Sequence, residues 1–337
     1  MAWKITIQVT SLACVGLGGW FTGTLMERWK LQQNTCDWSR VNQNSPDNLL
    51  YKLKRMPGLP IFGTVSAASS PENKLAVLES GLVPFESSPV SSKPVRVSQI
   101  MKFGFPGLDT VRSFDDYVLS YDRRNRVPHW VFEHLTKEAL VYNESVDRSK
   151  CEFTEDTSMH PYFRSLNSDF RGSGFDRGHM AAAGNHRLCQ KHVDQTFLLS
   201  NIAPQVGVGF NRNSWNRLEK YVRKMTRTYK NVFVCTGPLY LPRRDSDGKM
   251  YVKYEVIGAN SVAVPTHFFK VIVAETADQK LDMEAYVMPN QVIDNSTPLT
   301  VFQVPPESIE RAAGLLFFDQ LSRDKIRKIN GRESTTV

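Results

Sequence analysis

No CxxC pair occurs in this sequence, and its five cysteines (Cys14, Cys36, Cys151, Cys189 and Cys235) are odd in number. That pattern excludes a cysteine zinc site and leaves a disulfide framework unsupported. Six of the seven histidines (His129, His134, His160, His186, His192 and His267) lack the spacing of metal ligands and read as structural or surface residues. No internal repeat is seen, so the fold is not a repeat array. Acid is absent before Glu27, and arginine is absent before Arg28. Acid is also scarce from Arg212 to Lys230, where seven basic residues accompany the single Glu219. The whole chain of 337 residues carries a net charge of +8. A basic balance of this kind suits a polyanionic partner.

The chain changes texture along its length. Residues 5–26 contain no charged residue and, at 22 residues, are long enough to cross a bilayer as a helix. An uncleaved anchor, a secretory signal and part of a mitochondrial targeting segment are all compatible with this stretch. Residues 1–30 are therefore expected to form a targeting segment or membrane anchor. Residues 31–100, with Ser66–Glu72 and Val83–Val95 rich in serine and proline, are expected to form a linker. A globular domain is expected over 101–325, followed by a tail over 326–337. Two glycosylation acceptors, at Asn143 and Asn295, read as chance matches.

Within the domain, Tyr117–Tyr121 and His129–Glu133 flank a polar turn and read as a β-hairpin. Further strands are expected at Thr196–Ile202, Val232–Leu241, Met250–Gly258, Val262–Glu275 and Met283–Pro289. A helix is expected over Asn213–Thr228, because Trp215, Leu218, Val222 and Met225 recur at the spacing of one buried stripe. Arg217, Lys220, Lys224 and Arg227 repeat that spacing on another face. The class is α+β.

The residues that carry chemistry begin with Asp176-Arg177-Gly178-His179, followed by Asn211 32 positions after the histidine and Glu219 eight positions later. A phosphodiester repels hydroxide, so its hydrolysis needs a base, a positioned nucleophile and neutralising charge. A neutral imidazole can take a proton from water near pH 7. An amide oxygen is a hard, neutral donor that suits Mg²⁺. An arginine grips phosphate with a two-pronged fork. Each residue also has a plainer reading. His179 is structural, Asn211 caps the following helix, Glu219 pairs with Arg223 one turn on, and Arg177 pairs with Asp176. Arg148 and Arg164 are equal candidates for a further phosphate contact.

Three strings decide between these readings: FDRGHMAAAGNHR from Phe175, DQTFLLSNIAPQ from Asp194, and FNRNSWNRLE from Phe210. Together they resemble the DNA/RNA non-specific endonucleases of the ββα-metal type, over roughly Phe103 to Asp319. The strings at 234–242, 262–271 and 308–317 are similar to the mitochondrial branch of that family. Met180 is a departure, since leucine is frequent there. The resemblance implies a ββα-metal finger on a larger mixed, mainly antiparallel sheet. It implies that His179 activates water, Asn211 holds Mg²⁺ (with Mn²⁺ as an alternative), and Glu219 holds a water of the metal. Arg177 would bind phosphate and Asn201 would support the metal site. It further implies cleavage of DNA and RNA to 5′-phosphate ends, a homodimer and a mitochondrial location, in the intermembrane space or at the inner membrane, with membrane association through residues 5–26. Other readings stand beside it: a catalytically idle nucleic-acid-binding paralogue, and a secreted nuclease.

Overall fold

The structure is a computed structural model that describes Lys102 and residues 109–334. The expected targeting segment and linker, residues 1–30 and 31–100, lie outside the described residues. Among the described residues no helix is long and apolar enough to cross a membrane.

The expected hairpin forms from β2 (Tyr117–Asp122) and β3 (Val127–Leu135). Asp122 shapes its turn, accepting hydrogen bonds from the backbone N–H groups of Arg124 (2.8 Å) and Asn125 (3.1 Å). A carboxylate that bonds its own following backbone is a standard turn device. Tyr117, Leu119 and Tyr121 alternate inward, the period of two that a strand imposes. β1 (Thr110–Ser113) extends the hairpin on one side. On the other follow β6 (Asn231–Leu239), β11 (His267–Glu275), β12 (Leu281–Pro289), β13 (Ile326–Ile329) and β14 (Arg332–Glu333), in the order β1-β2-β3-β6-β11-β12-β13-β14. All neighbours are antiparallel except β12 and β13.

β11 is buried on both faces, and its alternation divides two cores. Phe268, Ile272 and Ala274 pack into the layer that carries the site, whereas Phe269 and Val271 pack with Ile309 of helix α3 (Pro306–Ala313) and Phe317. Two short ribbons, β7 (Arg243–Arg244) with β8 (Met250–Tyr251) and β9 (Val256–Ile257) with β10 (Val262–Ala263), complete the strands outside the site. The continuous strands expected at Met250–Gly258 and Val262–Glu275 are thus broken. In the second, Pro265 has no N–H to give a ladder, and β11 starts two residues later. The expected 325/326 boundary also shifts. Ile326 is buried and β13 pairs with β12, so the domain runs on to Glu333.

The site-bearing part is a second ribbon with a helix behind it. β4 (Phe175–His179) pairs antiparallel with β5 (Ile202–Val206), His179 facing Ile202 and Gly178 facing Ala203. The second strand was expected at Thr196–Ile202 and instead begins where that stretch ends. Thr196 closes helix α1 (Gln190–Thr196), and Leu199–Asn201 forms a 3₁₀ turn. The apolar run deceives because Phe197 and Leu199 are buried as the end of a helix and as part of a turn. β5 tolerates Pro204 because a two-stranded ribbon needs hydrogen bonds along one edge only. Gly178 has a steric reason, since a Cβ there would lie 2.1 Å from Oε1 of Gln205.

After β5 the chain turns sharply into a helical segment, Gly207–Trp215, which leads into α2 (Asn216–Met225). Gly209 makes the turn with φ of 88°, a left-handed value that costs other residues about 1–2 kcal/mol. Helical geometry thus starts at about Phe210, earlier than expected. Leu218, Val222 and Met225 are buried as their spacing predicts, each contributing roughly 1.5–3 kcal/mol where fully buried. Trp215, also buried, stacks toward Phe268 of the main sheet at 5.7 Å. This stripe sets the rotation of α2 and hence which residues look into the site.

Candidate active site

A cleft of about 800 Å³ opens where β4, α2 and the loops around Arg148 and Arg187 meet. Its walls carry seven basic side chains (Arg148, Arg171, Arg177, Arg187, Arg212, Lys220 and Arg223) against two acids, Asp176 and Glu219. The structure brings His179, Arg177, Asn211 and Glu219 together here.

His179 ends β4. Its ring lies 5.3 Å from Phe153 and 4.7 Å, edge-on, from Phe197. Burial among these rings, reinforced by the charges of Arg148 and His186, pushes its pKa down to about 3. The imidazole is therefore neutral in the free protein at physiological pH. Its Nε2 is buried without a hydrogen-bond partner among the described residues.

Arg177 shares a strand face with His179, two residues apart. It does not pair with Asp176. Its guanidinium lies 4.3 Å from the Phe153 ring centroid and donates to Oδ1 of Asn167 at 2.6 Å. The aromatic face and the amide hold the fork at the cleft while leaving it exposed.

Asp176 turns the other way and binds Arg212 through two hydrogen bonds, 2.8 and 2.6 Å. It also accepts a hydrogen bond from Nδ2 of Asn211 at 3.0 Å. These partners hold its carboxyl below the ordinary carboxylate range, Arg212 above all. With its nitrogen committed to Asp176, Asn211 keeps its carbonyl oxygen for a ligand. Asn211 is not the cap of the helix. It lies within the helical segment, as does Asn213, whose Oδ1 reaches back to accept from Gly209 N–H at 2.8 Å.

Glu219 stands half-buried in the cleft, and its carboxylate takes no hydrogen bond from the described residues. Burial raises its pKa, opposed by the charges of Lys270 and Arg223. The plainer alternative, a pair with Arg223 one turn on, is not formed. Arg223 donates instead to Oδ1 of Asn185 at 2.9 Å.

Asn201 sits differently from its expected role at the metal. It is fully buried outside the cleft lining, with all its amide bonds directed at backbone. Its Oδ1 accepts from Ala181 N–H (2.9 Å), and its Nδ2 donates to the carbonyls of Ala181 (3.0 Å) and Thr196 (2.9 Å). It clamps the loop that follows His179 from behind. Of the two candidate arginines, Arg148 lines the cleft, whereas Arg164 is spent on the carbonyls of Met159 and Thr157. The basic face of α2 is also corrected. Arg217 holds the carbonyls of Asn295 and Thr297, and neither Lys224 nor Arg227 lines the cleft. The face that does, Asn216, Glu219 and Arg223, lies one residue beyond the buried stripe, about 100° around the helix.

Beneath the cleft lies a charged layer the sequence does not announce. His186 bridges Asp116 (3.2 Å) and Glu133 (3.0 Å). Glu133 also accepts from Asn185 at 2.8 Å, and Asn185 in turn holds Arg223. Lys270, 2% exposed, donates to Oγ1 of Thr236 at 2.6 Å and lies 5.0 Å from the Trp215 ring centroid. Burial lowers its pKa, and the nearby charges of Glu133 and Glu219 oppose that. In the sequence its one signal is a lysine at an inward position of an apolar strand.

This layer gives a pH test. Burial opposes charge on His186, yet Asp116 and Glu133 together push its pKa up to about 9. Its ordinary value is 6.5, so the stabilisation is fully present below that pH and disappears as pH rises through 9. His186→Gln is expected to lower the melting temperature markedly at pH 6 and far less at pH 10. Equal losses at both pH values would refute the assignment.

Among metal-binding clusters, no group of three or more His, Cys, Asp or Glu side chains is found within the described residues. A hard divalent ion does not need one. The Asn211 oxygen and an approaching phosphate are hard donors that suit a divalent ion keeping most of its waters, and the unpartnered Glu219 carboxylate in the same cleft would hold one of those waters.

The family model described as DNA/RNA non-specific endonuclease matches residues 96–324. The Caenorhabditis elegans protein "Endonuclease G, mitochondrial" is 50% identical over 275 residues, covering 81% of this chain and 89% of that protein. The human protein of the same name is 57% identical over 219 residues, covering 65% of this chain and 73% of that protein. Among solved structures, a crystal structure of an EndoG/EndoGI complex is 71% identical with a TM-score of 0.66, covering 72% of this chain and 99% of that one. The chain therefore belongs to the DNA/RNA non-specific endonuclease family and is an endonuclease.

Proposed function

We propose that the protein hydrolyses DNA and RNA without regard to sugar, using His179 as base and a Mg²⁺ ion held by Asn211. One observation carries this reading. A neutral imidazole and an oriented amide oxygen share a single cleft walled by seven cations. His179 takes a proton from water as the water oxygen bonds to phosphorus. The bond from phosphorus to the 3′ oxygen breaks, and that oxygen takes a proton from solvent water, leaving a 5′-phosphate and a 3′-hydroxyl. Arg177 grips the non-bridging oxygens, with Arg148 as a second contact. Glu219 orients water at the ion, and Asn201 steadies the loop after the base. The ion supplies positive charge to the oxygens on which negative charge develops. Contacts of this kind read phosphate and not bases, so cutting is weakly sequence-specific and weakens with salt.

The protein is mitochondrial, as the names of its relatives in C. elegans and humans are. It acts there as a homodimer in the intermembrane space or at the inner membrane, with residues 5–26 as an anchor. Plasmid DNA and RNA offered to the full chain are both expected to be cut in Mg²⁺, with cutting abolished by EDTA and restored by excess Mg²⁺. A well-folded protein that binds both nucleic acids but cuts neither would favour the idle-paralogue reading.

A further inference from the structure

A second cavity, of about 260 Å³, adjoins the catalytic cleft. The two share Arg148, Ala183 and Arg187, so the arginines form the ridge between them. The floor of the smaller cavity is apolar, made by Val146, Ala183 and Val193, all buried. Its wall is Tyr142, a ring that is 59% exposed. The Arg187 guanidinium lies 5.9 Å from the centroid of that ring. Tyr142 is nonetheless held in place by its neighbour, for Asn143 donates its N–H to Arg187 O (3.3 Å) and its Nδ2 to Leu188 O (2.9 Å). Asp147 also lines the cavity, its carboxylate accepting from Ser149 N–H at 2.9 Å and lying 3.7 Å from Lys150 Nζ.

We propose that this cavity is a base subsite: it takes one unpaired nucleobase of the strand being cut, stacked on Tyr142, while Arg148 and Arg187 hold the phosphate that joins it to the scissile position. The proposal rests on the nuclease reading of the neighbouring cleft. The chemistry separates the two halves of a nucleotide. The ridge is cationic and suits phosphate. The cavity behind it has an apolar floor and an aromatic wall, which suit a base and offer phosphate no partner. Every base has a π face, so stacking adds affinity without reading sequence. A base stacked within a duplex is not available to Tyr142, so the subsite favours single strands and unwound ends.

The test uses the full chain, with Tyr142→Ala and Tyr142→Phe variants. Two fluorescein-labelled single-stranded oligodeoxynucleotides of equal length serve as probes, one with all its bases and one fully abasic. Binding is read by anisotropy in EDTA, and cleavage separately in Mg²⁺. Tyr142→Ala is expected to weaken binding of the base-bearing strand about tenfold and to leave the abasic strand unchanged. Tyr142→Phe should bind both as wild type does. The side chain is largely exposed, so the melting temperature should not move. Equal weakening of both strands, or of neither, would overturn the subsite. Wild-type protein that binds these strands but does not cut them in Mg²⁺ would refute the nuclease reading while the binding data still judge the subsite.

Discussion

His179→Ala is expected to lower the rate of DNA and RNA cleavage by about 10²–10⁴-fold, the contribution typical of a general base, while nucleic-acid binding stays within about twofold. The separation follows from the geometry. Of the seven cations only Arg177 shares β4 with His179; Arg212, Lys220 and Arg223 stand on the helical segment and α2, and Arg148, Arg171 and Arg187 lie outside both. None of them hydrogen-bonds to His179. The ring is enclosed by Phe153 and Phe197, so truncation also leaves a cavity, and melting temperatures must be measured alongside the rates. His179→Gln, which fills more of that space but cannot serve as a base near neutral pH, should be as slow as alanine. Cleavage by both variants at near wild-type rates would remove His179 from the mechanism. The low pKa adds a second expectation. Its protonation, at about 3 in the free protein, cannot produce an acid limb near pH 6.5 in kcat/KM.

Asn211→Ala should cost about 10²–10³-fold in rate at fixed Mg²⁺, since a bound ion supplies several kcal/mol of charge stabilisation and each 1.4 kcal/mol is tenfold. The more telling measurement is the Mg²⁺ dependence. Half-saturation is expected to move to much higher Mg²⁺, because the variant loses the one amide oxygen that the fold prepares. Asp176→Ala tests the preparation itself. It touches Asn211 only through the 3.0 Å hydrogen bond that sets the amide's direction, so its shift should be in the same direction and smaller, about 10–100-fold. An unchanged Mg²⁺ half-saturation in Asn211→Ala would sink the assignment. A normal response in Asp176→Ala would show that the amide orients itself.

Much of this was legible in the chain. The spacing of Trp215, Leu218, Val222 and Met225 foretold both the helix and its buried side, because helical period and burial are local consequences of side-chain order. The hairpin around Asp122 was legible for the same reason. The DRGH string, with Asn211 and Glu219 downstream, identified the chemistry through family resemblance. The second strand of the finger is not legible in the same way, since an apolar stretch such as Phe197–Ile202 can be buried as a strand, a turn or the end of a helix. Only the backbone around Asn201 chose between them.

Pairing was the other blind spot. Asp176 lies next to Arg177 in sequence but bonds Arg212, 36 positions away, because a strand sends neighbouring side chains to opposite faces. Arg148 and Arg164 looked equivalent until one was found in the cleft and the other on nearby carbonyls. Lys270 looked out of place in β11 until its partners appeared from β3, β6 and α2. The sequence by itself determined the reaction class, through family resemblance, and the helix that lines the cleft with Asn216, Glu219, Lys220 and Arg223, through short-range period. The tertiary structure alone decided which charges meet, which arginines line the cleft and how Asn211 is aimed, since those depend on distances between segments far apart along the chain.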